Sequence, residues 1–121
     1  MDNKYKLTIG RLGEDIAISY LKQKGYQIIE RNYRTKYAEI DLIARKKNVL
    51  VFIEVKTRVG ERFGLPEESI KSDKLYRLVK NAQAYMARRS YNKKYRIDAV
   101  CIVLNKAHCS ERISHYENIT L

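Results

Sequence analysis

In the run Ala38-Glu39-Ile40-Asp41-Leu42-Ile43-Ala44 an aspartate interrupts hydrocarbon, and in Val51-Phe52-Ile53-Glu54-Val55-Lys56 a glutamate and a lysine stand two positions apart. Both runs have the length and apolar content of β-strands. A strand that buries its neighbours must find a partner for each such charge, because an unpaired ion is costly out of water. Side chains alternate across a strand, so Glu54 and Lys56 share a face with Leu50 and Phe52, while Glu39, Asp41 and Ile43 share a face of the preceding strand. If the two strands pair as a hairpin, Asp41 can lie beside Glu54 and Lys56. The register that decides this is not readable from the pattern. In the favourable register the carboxylates exceed the ammonium, and a divalent cation that prefers oxygen ligands, such as Mg²⁺, would balance them. Two carboxylates on a metal with a lysine beside them is the equipment of a metal-dependent phosphodiesterase. The alternative is a cross-strand ion pair of Lys56 with Asp41 or Glu54 on a solvated sheet face. The apolar flanks on both strands favour a site without deciding it.

The rest of the chain supplies a frame. Apolar positions 9, 12, 16, 17, 20 and 21 form a helical stripe, with Thr8 as its expected N-cap and Gly25 as its stop. Strands are expected at 26–33, 38–45 and 49–56, the last two joined by the turn Lys46-Lys47-Asn48. The stretch 57–66 holds Gly60, Gly64 and the only proline and reads as a mobile loop that orders on substrate. A second helix is expected at 71–89 and strands at 95–104 and 112–117. The order α-β-β-β-α-β-β predicts an α/β fold, a mixed sheet with helices on its faces.

Glu14 lies at the edge of the first helix's apolar stripe. Position alone favours an ordinary acid near the helix start, aided by the helix dipole, although the boundary also lets it reach a sheet edge. Arg31, Asn32, Arg34 and Lys36 form a basic cluster before the second strand, and Arg58 and Arg62 follow Lys56. Such side chains would contact a nucleic-acid backbone, Arg34 and Arg58 foremost, or else make a solvated basic surface. Some of the ten tyrosines could stack on bases, whereas Tyr20 and Tyr85 fall on helix stripes and read as core. His115 reads as structural.

With 121 residues the chain is expected to be a single domain, 1–121, and 45% hydrophobic residues make it globular. Lys+Arg number 25 against 14 Asp+Glu, a formal net charge of +11 that points to a polyanion, nucleic acid ahead of a membrane surface. No apolar run reaches a membrane span and the N-terminus lacks a signal-peptide core. Cys101 sits in an apolar run, neither cysteine has metal-ligand spacing, and a reduced, cytoplasmic setting is expected.

Several motifs occur together: Gly10-Arg11-Leu12-Gly13-Glu14, Arg31-Asn32-Tyr33-Arg34, the run 38–44, Phe52-Ile53-Glu54-Val55-Lys56-Thr57-Arg58, Phe63-Gly64-Leu65-Pro66-Glu67-Glu68, Lys74 and Arg96-Ile97-Asp98. By these the chain resembles, over nearly its whole length, the YraN-like family of small bacterial proteins. That family is grouped with restriction-endonuclease-like nucleases and archaeal Holliday-junction resolvases. Ala38 departs from it, standing where the family usually has glycine.

The resemblance implies a restriction-endonuclease-like core and the missing register. It places Glu14, Asp41, Glu54 and Lys56 on the nuclease positions, with Asp41, Glu54 and Glu14 holding Mg²⁺ or Mn²⁺. Arg34, Arg58, Arg62 and Asn32 would then meet nucleic acid. The expected function is metal-dependent hydrolysis of DNA phosphodiesters, with branched or structured DNA as one candidate substrate. The alternative is a nucleic-acid-binding protein that retains the fold without cleavage, since one fold hosts many activities. A small interaction protein within a larger complex is a third reading. Resolvase-like relatives act as dimers, so a homodimer is compatible with the resemblance, although the sequence carries no diagnostic interface patch.

Overall fold

The computed structural model describes residues 3–60 and 66–120. In chain order it forms α1 (Asn3–Gln23), β1 (Gln27–Arg34), β2 (Glu39–Lys46), β3 (Val49–Val59), a 3-10 turn (Pro66–Ser69), α2 (Ser72–Arg88), β4 (Tyr95–Leu104) and β5 (Ser110–Tyr116). This is the α/β fold and the element order expected from periodicity. The strands make one sheet in the order β1-β2-β3-β4-β5, with β3 and β4 parallel and every other neighbouring pair antiparallel. The parallel step needs a crossover, and α2 supplies it.

Each helix covers one face of the sheet. Ile9, Ala17 and Leu21 of α1 pack on Leu42, Ala44, Val51, Ile53 and Val100. On the opposite face Leu78, Ala82, Tyr85 and Met86 of α2 pack on Ile40, Ile43, Leu50, Phe52 and Ile97. The alternation Leu50/Phe52 against Val51/Ile53 is therefore read out as two cores, one on each side of β3. Among the described residues no helix is long and apolar enough to cross a membrane.

Four expectations need correction. Thr8 does not cap α1, which starts at Asn3; its hydroxyl instead donates to the Lys4 carbonyl at 2.9 Å, one turn back. Residues 57–59 are not loop, because β3 continues to Val59 and keeps its ladder with β4 as far as Val59↔Leu104. The 3-10 turn after Leu65 is fixed to β5, where Glu67 accepts from Arg112 at 3.0 Å and from the Tyr116 hydroxyl at 2.6 Å. Positions 61–65, with Arg62, lie outside the described residues. Strict alternation also fails in β2, where Ile40 and Ile43 join the same core although they stand three apart. Gly25 does end α1 as expected. With φ +90 it lets the Tyr26 N–H reach the Leu21 carbonyl at 3.0 Å and its own N–H reach Lys22.

Candidate active site

The broken alternation in β2 marks where the site begins. Registered pairing of β2 with β3 runs from Lys46↔Val49 to Leu42↔Ile53 and goes no further. Beyond it the strands part, and the Val55 N–H donates to Asp41 Oδ2 at 2.8 Å rather than to the backbone of β2. A side chain thus closes the last rung of the ladder and holds Asp41 in the opening. The start of β2 is fixed from the α2 face. Asn81, fully buried, donates to the Ala38 carbonyl at 2.8 Å and accepts from the Thr35 hydroxyl, tying the turn between β1 and β2 to the helix.

Asp41, Glu54 and Lys56 line one cleft of about 370 Å³ together with Glu39, Val55, Lys74 and Arg77. Glu54 is only 4% exposed, yet its Oε2 accepts no hydrogen bond among the described residues; the Lys74 ammonium stands 3.2 Å away without the geometry of one. Asp41 is crowded. Burial first, then the Glu54 carboxyl within hydrogen-bonding reach and the charge of Glu14, push its pKa from 3.8 up to about 9, against the Val55 N–H that lowers it. Burial, and next the neighbouring Lys74, lower the Lys56 ammonium from its ordinary value, while Glu54 and Asp41 act the other way.

Glu14 reaches the same place from α1. The helix lies close to the sheet at Gly13, where a methyl group would run into the Thr57 side chain, 2.8 Å from its Cβ. Glu14 is therefore a mid-helix residue carried to the sheet by a close backbone approach, not an acid favoured by the helix start. One carboxylate oxygen from each of Glu14, Glu39 and Asp41 falls within 4.8 Å of the others. Arg31 steadies Glu14 by an ion pair at 3.2 Å and holds Asp15 at 2.8 Å.

Asn32 sits on β1 with φ +56, a left-handed conformation that asparagine tolerates better than most residues. With its amide nitrogen turned toward the carboxylates it donates to Glu14 at 3.1 Å and to Glu39 at 3.0 Å. Arg34 lies on the same side and pairs with Glu39 at 2.6 Å. Arg58 shares the Glu54–Lys56 face of β3, further along the strand and exposed.

A model of the uncharacterised protein family UPF0102 matches residues 13–102. The chain belongs to UPF0102. A UPF0102 protein of Caldanaerobacter subterraneus subsp. tengcongensis is 45% identical over 116 residues, covering 93% of this chain and 94% of its own. One from Clostridium botulinum is 43% identical over 112 residues, covering 91% of each chain. Another, from Fervidobacterium nodosum, is 38% identical over 109 residues, covering 90% of this chain and 79% of its own. The YraN-like resemblance agrees with this membership.

The matched span 13–102 includes Glu14 and every residue lining the cleft, from Tyr37 to Leu78. Four carboxylates gather there, Asp41 standing between Glu14 and Glu39 on one side and Glu54 on the other. An all-oxygen set with a buried, unsatisfied acceptor fits a hard divalent cation, which takes oxygen ligands and replaces the missing donor. Sequence reasoning left out three side chains that line or brace this cleft. Glu39 was visible as the alternation partner of Asp41. Lys74 had no local signal beyond its place in the family motifs, and Asn81 reads in sequence as one polar residue on a helix.

Proposed function

We propose that the cleft is a metal-dependent nuclease site for DNA phosphodiesters, with branched or structured DNA as a candidate substrate. The observation that carries it is the Asp41–Glu54 pair: two carboxyls within hydrogen-bonding reach at the opening of a strand ladder, Asp41 with its pKa raised and Glu54 buried with only the Lys74 ammonium beside its Oε2. Such a pair exchanges its proton for a cation when one is offered. Asp41 and Glu54 would hold Mg²⁺ or Mn²⁺, joined by Glu14 and by the Val55 carbonyl. When bound, the cation supplies charge for the phosphate oxygens and lowers the pKa of water.

The chain's own groups do the rest. Lys56, lowered by burial and by Lys74, is brought toward the range in which its Nζ can accept a proton from an attacking water or orient it. Arg58 and Arg34 bind the phosphate backbone on either side, Arg34 by exchanging Glu39 for the substrate, and Asn32 helps hold Glu14 and Glu39 in place. Arg62 is proposed with them on sequence position alone. The net charge of +11 favours the approach of a polyanion.

A second reading is favoured by Lys74. At 3.2 Å from Glu54 it neutralises that carboxylate without a cation, as a binding protein that has given up cleavage would need. Linear, flapped and four-way DNA incubated with Mg²⁺, Mn²⁺ or chelator separates the two. Cleavage that needs the metal is expected. Salt-sensitive binding with every DNA left intact in both metals would assign the second reading.

A further inference from the structure

The tyrosines span a wide range of exposure, and among the described residues Tyr37 and Tyr76 are the most exposed of the large apolar side chains after Leu7. Tyr26 and Tyr85 are buried, whereas Tyr37 is 54% and Tyr76 60% exposed. Tyr76 lies on α2 between Lys74 and Arg77, both of which line the cleft. Tyr37, on the turn between β1 and β2, lines the cleft directly. Tyr76 projects from α2, and Lys80, one turn on, places its ammonium over the Tyr76 ring, 5.1 Å from the centroid. Hydrogen bonding to Tyr76 first, and the charge effect of Tyr37 as well, raise the Lys80 ammonium above its ordinary value, so both tyrosines lie within its electrostatic reach. Lys36 stands over the Tyr37 ring at 5.2 Å.

The arrangement is fixed rather than loose. The Tyr37 N–H donates to the Thr35 hydroxyl oxygen at 3.1 Å, and Asn81 pins the same turn to α2 through Ala38. Tyr37 and Tyr76 are therefore held by one helix. Lys74 and Arg77 continue the positive charge from the rings into the cleft, and the acid nearest them on α2, Asp73, pairs with Arg77 at 3.8 Å.

We propose that Tyr37 and Tyr76, with Lys36, Arg77 and Lys80, form a binding platform for the bases of an unpaired nucleic-acid strand entering the cleft. An exposed ring offers a π-face to any base, and the ammonium beside it meets the adjoining phosphate. A duplex keeps its base faces stacked on one another and presents only groove edges and its sugar-phosphate backbone, so the rings select for unpaired nucleotides. The platform rests on the nuclease reading for the reason a strand runs past Asp41. It narrows the DNA substrate to one with a single-stranded arm beside the scissile phosphate.

Fluorescence anisotropy in EDTA tests this apart from catalysis, using dT and rU strands of about twelve nucleotides and a blunt-ended duplex of matching length. The double variant Tyr37→Ala/Tyr76→Ala should lose roughly tenfold or more in affinity for both single strands and less than about twofold for the duplex. Tyr37→Phe/Tyr76→Phe should bind both strands like the parent, because the ring face is kept. Unchanged single-strand binding by the alanine variant overturns the platform, and so does an equal loss on duplex. Retained circular dichroism and thermal midpoint show that the variants fold. A parent protein that binds single strands through these tyrosines and cuts no DNA supports the platform while rejecting the nuclease reading.

Discussion

Asp41 answers to two opposing demands. Accepting the Val55 N–H favours its charged form, while burial, the Glu54 carboxyl and Glu14 favour the neutral one and prevail, lifting its pKa from 3.8 to about 9. A carboxyl raised in the folded state contributes its full stability below its unfolded value, and that contribution drains away as pH climbs from 3.8 toward about 9. Asp41→Asn keeps an acceptor for Val55 and has no charge to lose. In metal-free denaturation it should match the parent near pH ~4 and exceed it near pH ~8, by about 4 °C in Tm for each kcal/mol gained. Equal stability of the two at the higher pH would contradict the crowding assigned to this pair. Added Mg²⁺ or Mn²⁺ should stabilise the parent and leave the variant less affected, since ligand binding to the native state alone raises Tm.

At the scale of elements, the approach of α1 to β3 is what delivers Glu14. Gly13→Ala would drive a methyl group into Thr57, and overpacking of this kind costs about 1–3 kcal/mol. Urea unfolding should show that loss, and metal affinity should fall with it because α1 moves off the sheet. A variant with parental stability and metal binding would mean that the helix carries no such constraint. The elements differed in how much of this their residues announced. β3 was legible as far as Lys56 and β4 throughout because each holds an unbroken apolar run, 50–53 and 99–104, and Asp41, Glu54 and Lys56 because charge stands out in such runs. The early turns of α1 were not, since Asn3–Thr8 is mostly polar and carries no complete stripe; only Tyr5 among them packs against the core, and the turns extend a helix nucleated by the packed residues from Ile9 onward. The parting of β2 from β3 was also hidden. Strand propensity says nothing about where a ladder stops, and only the Val55 N–H, handed to Asp41 instead of to backbone, reveals it. Asn81 escaped for the opposite reason, because one asparagine in a helix reads as solvated until a turn from another part of the chain closes over it.

Across the whole molecule, the far end of the chain is secured by a buried charge that has nothing to do with the cleft. Asp98 on β4 is fully buried and receives Arg96 at 2.9 Å, His115 of β5 at 2.8 Å and the Asn118 N–H at 3.0 Å. Burial alone would raise it, but these donors more than offset that and hold it below the ordinary 3.8. Its contribution is therefore complete above that value and is lost as pH falls through the lower folded one. Asp98→Asn should destabilise the protein by about 3 kcal/mol at neutral pH, as breaking a buried pair does, and should flatten the acid side of its urea-midpoint profile. An acid limb as steep as the parent's would remove Asp98 from this role. At the other end strand charges meet in one cleft, and its role in cleavage is read out by single-turnover reactions of the best-cut DNA with the parent, Asp41→Ala and Lys56→Ala, in Mg²⁺ or Mn²⁺ with binding measured alongside. Cleavage roughly 100-fold or more slower in both variants, with DNA still bound, is the predicted result. Cleavage at the parental rate by either variant, or none by the parent in either metal, would contradict it.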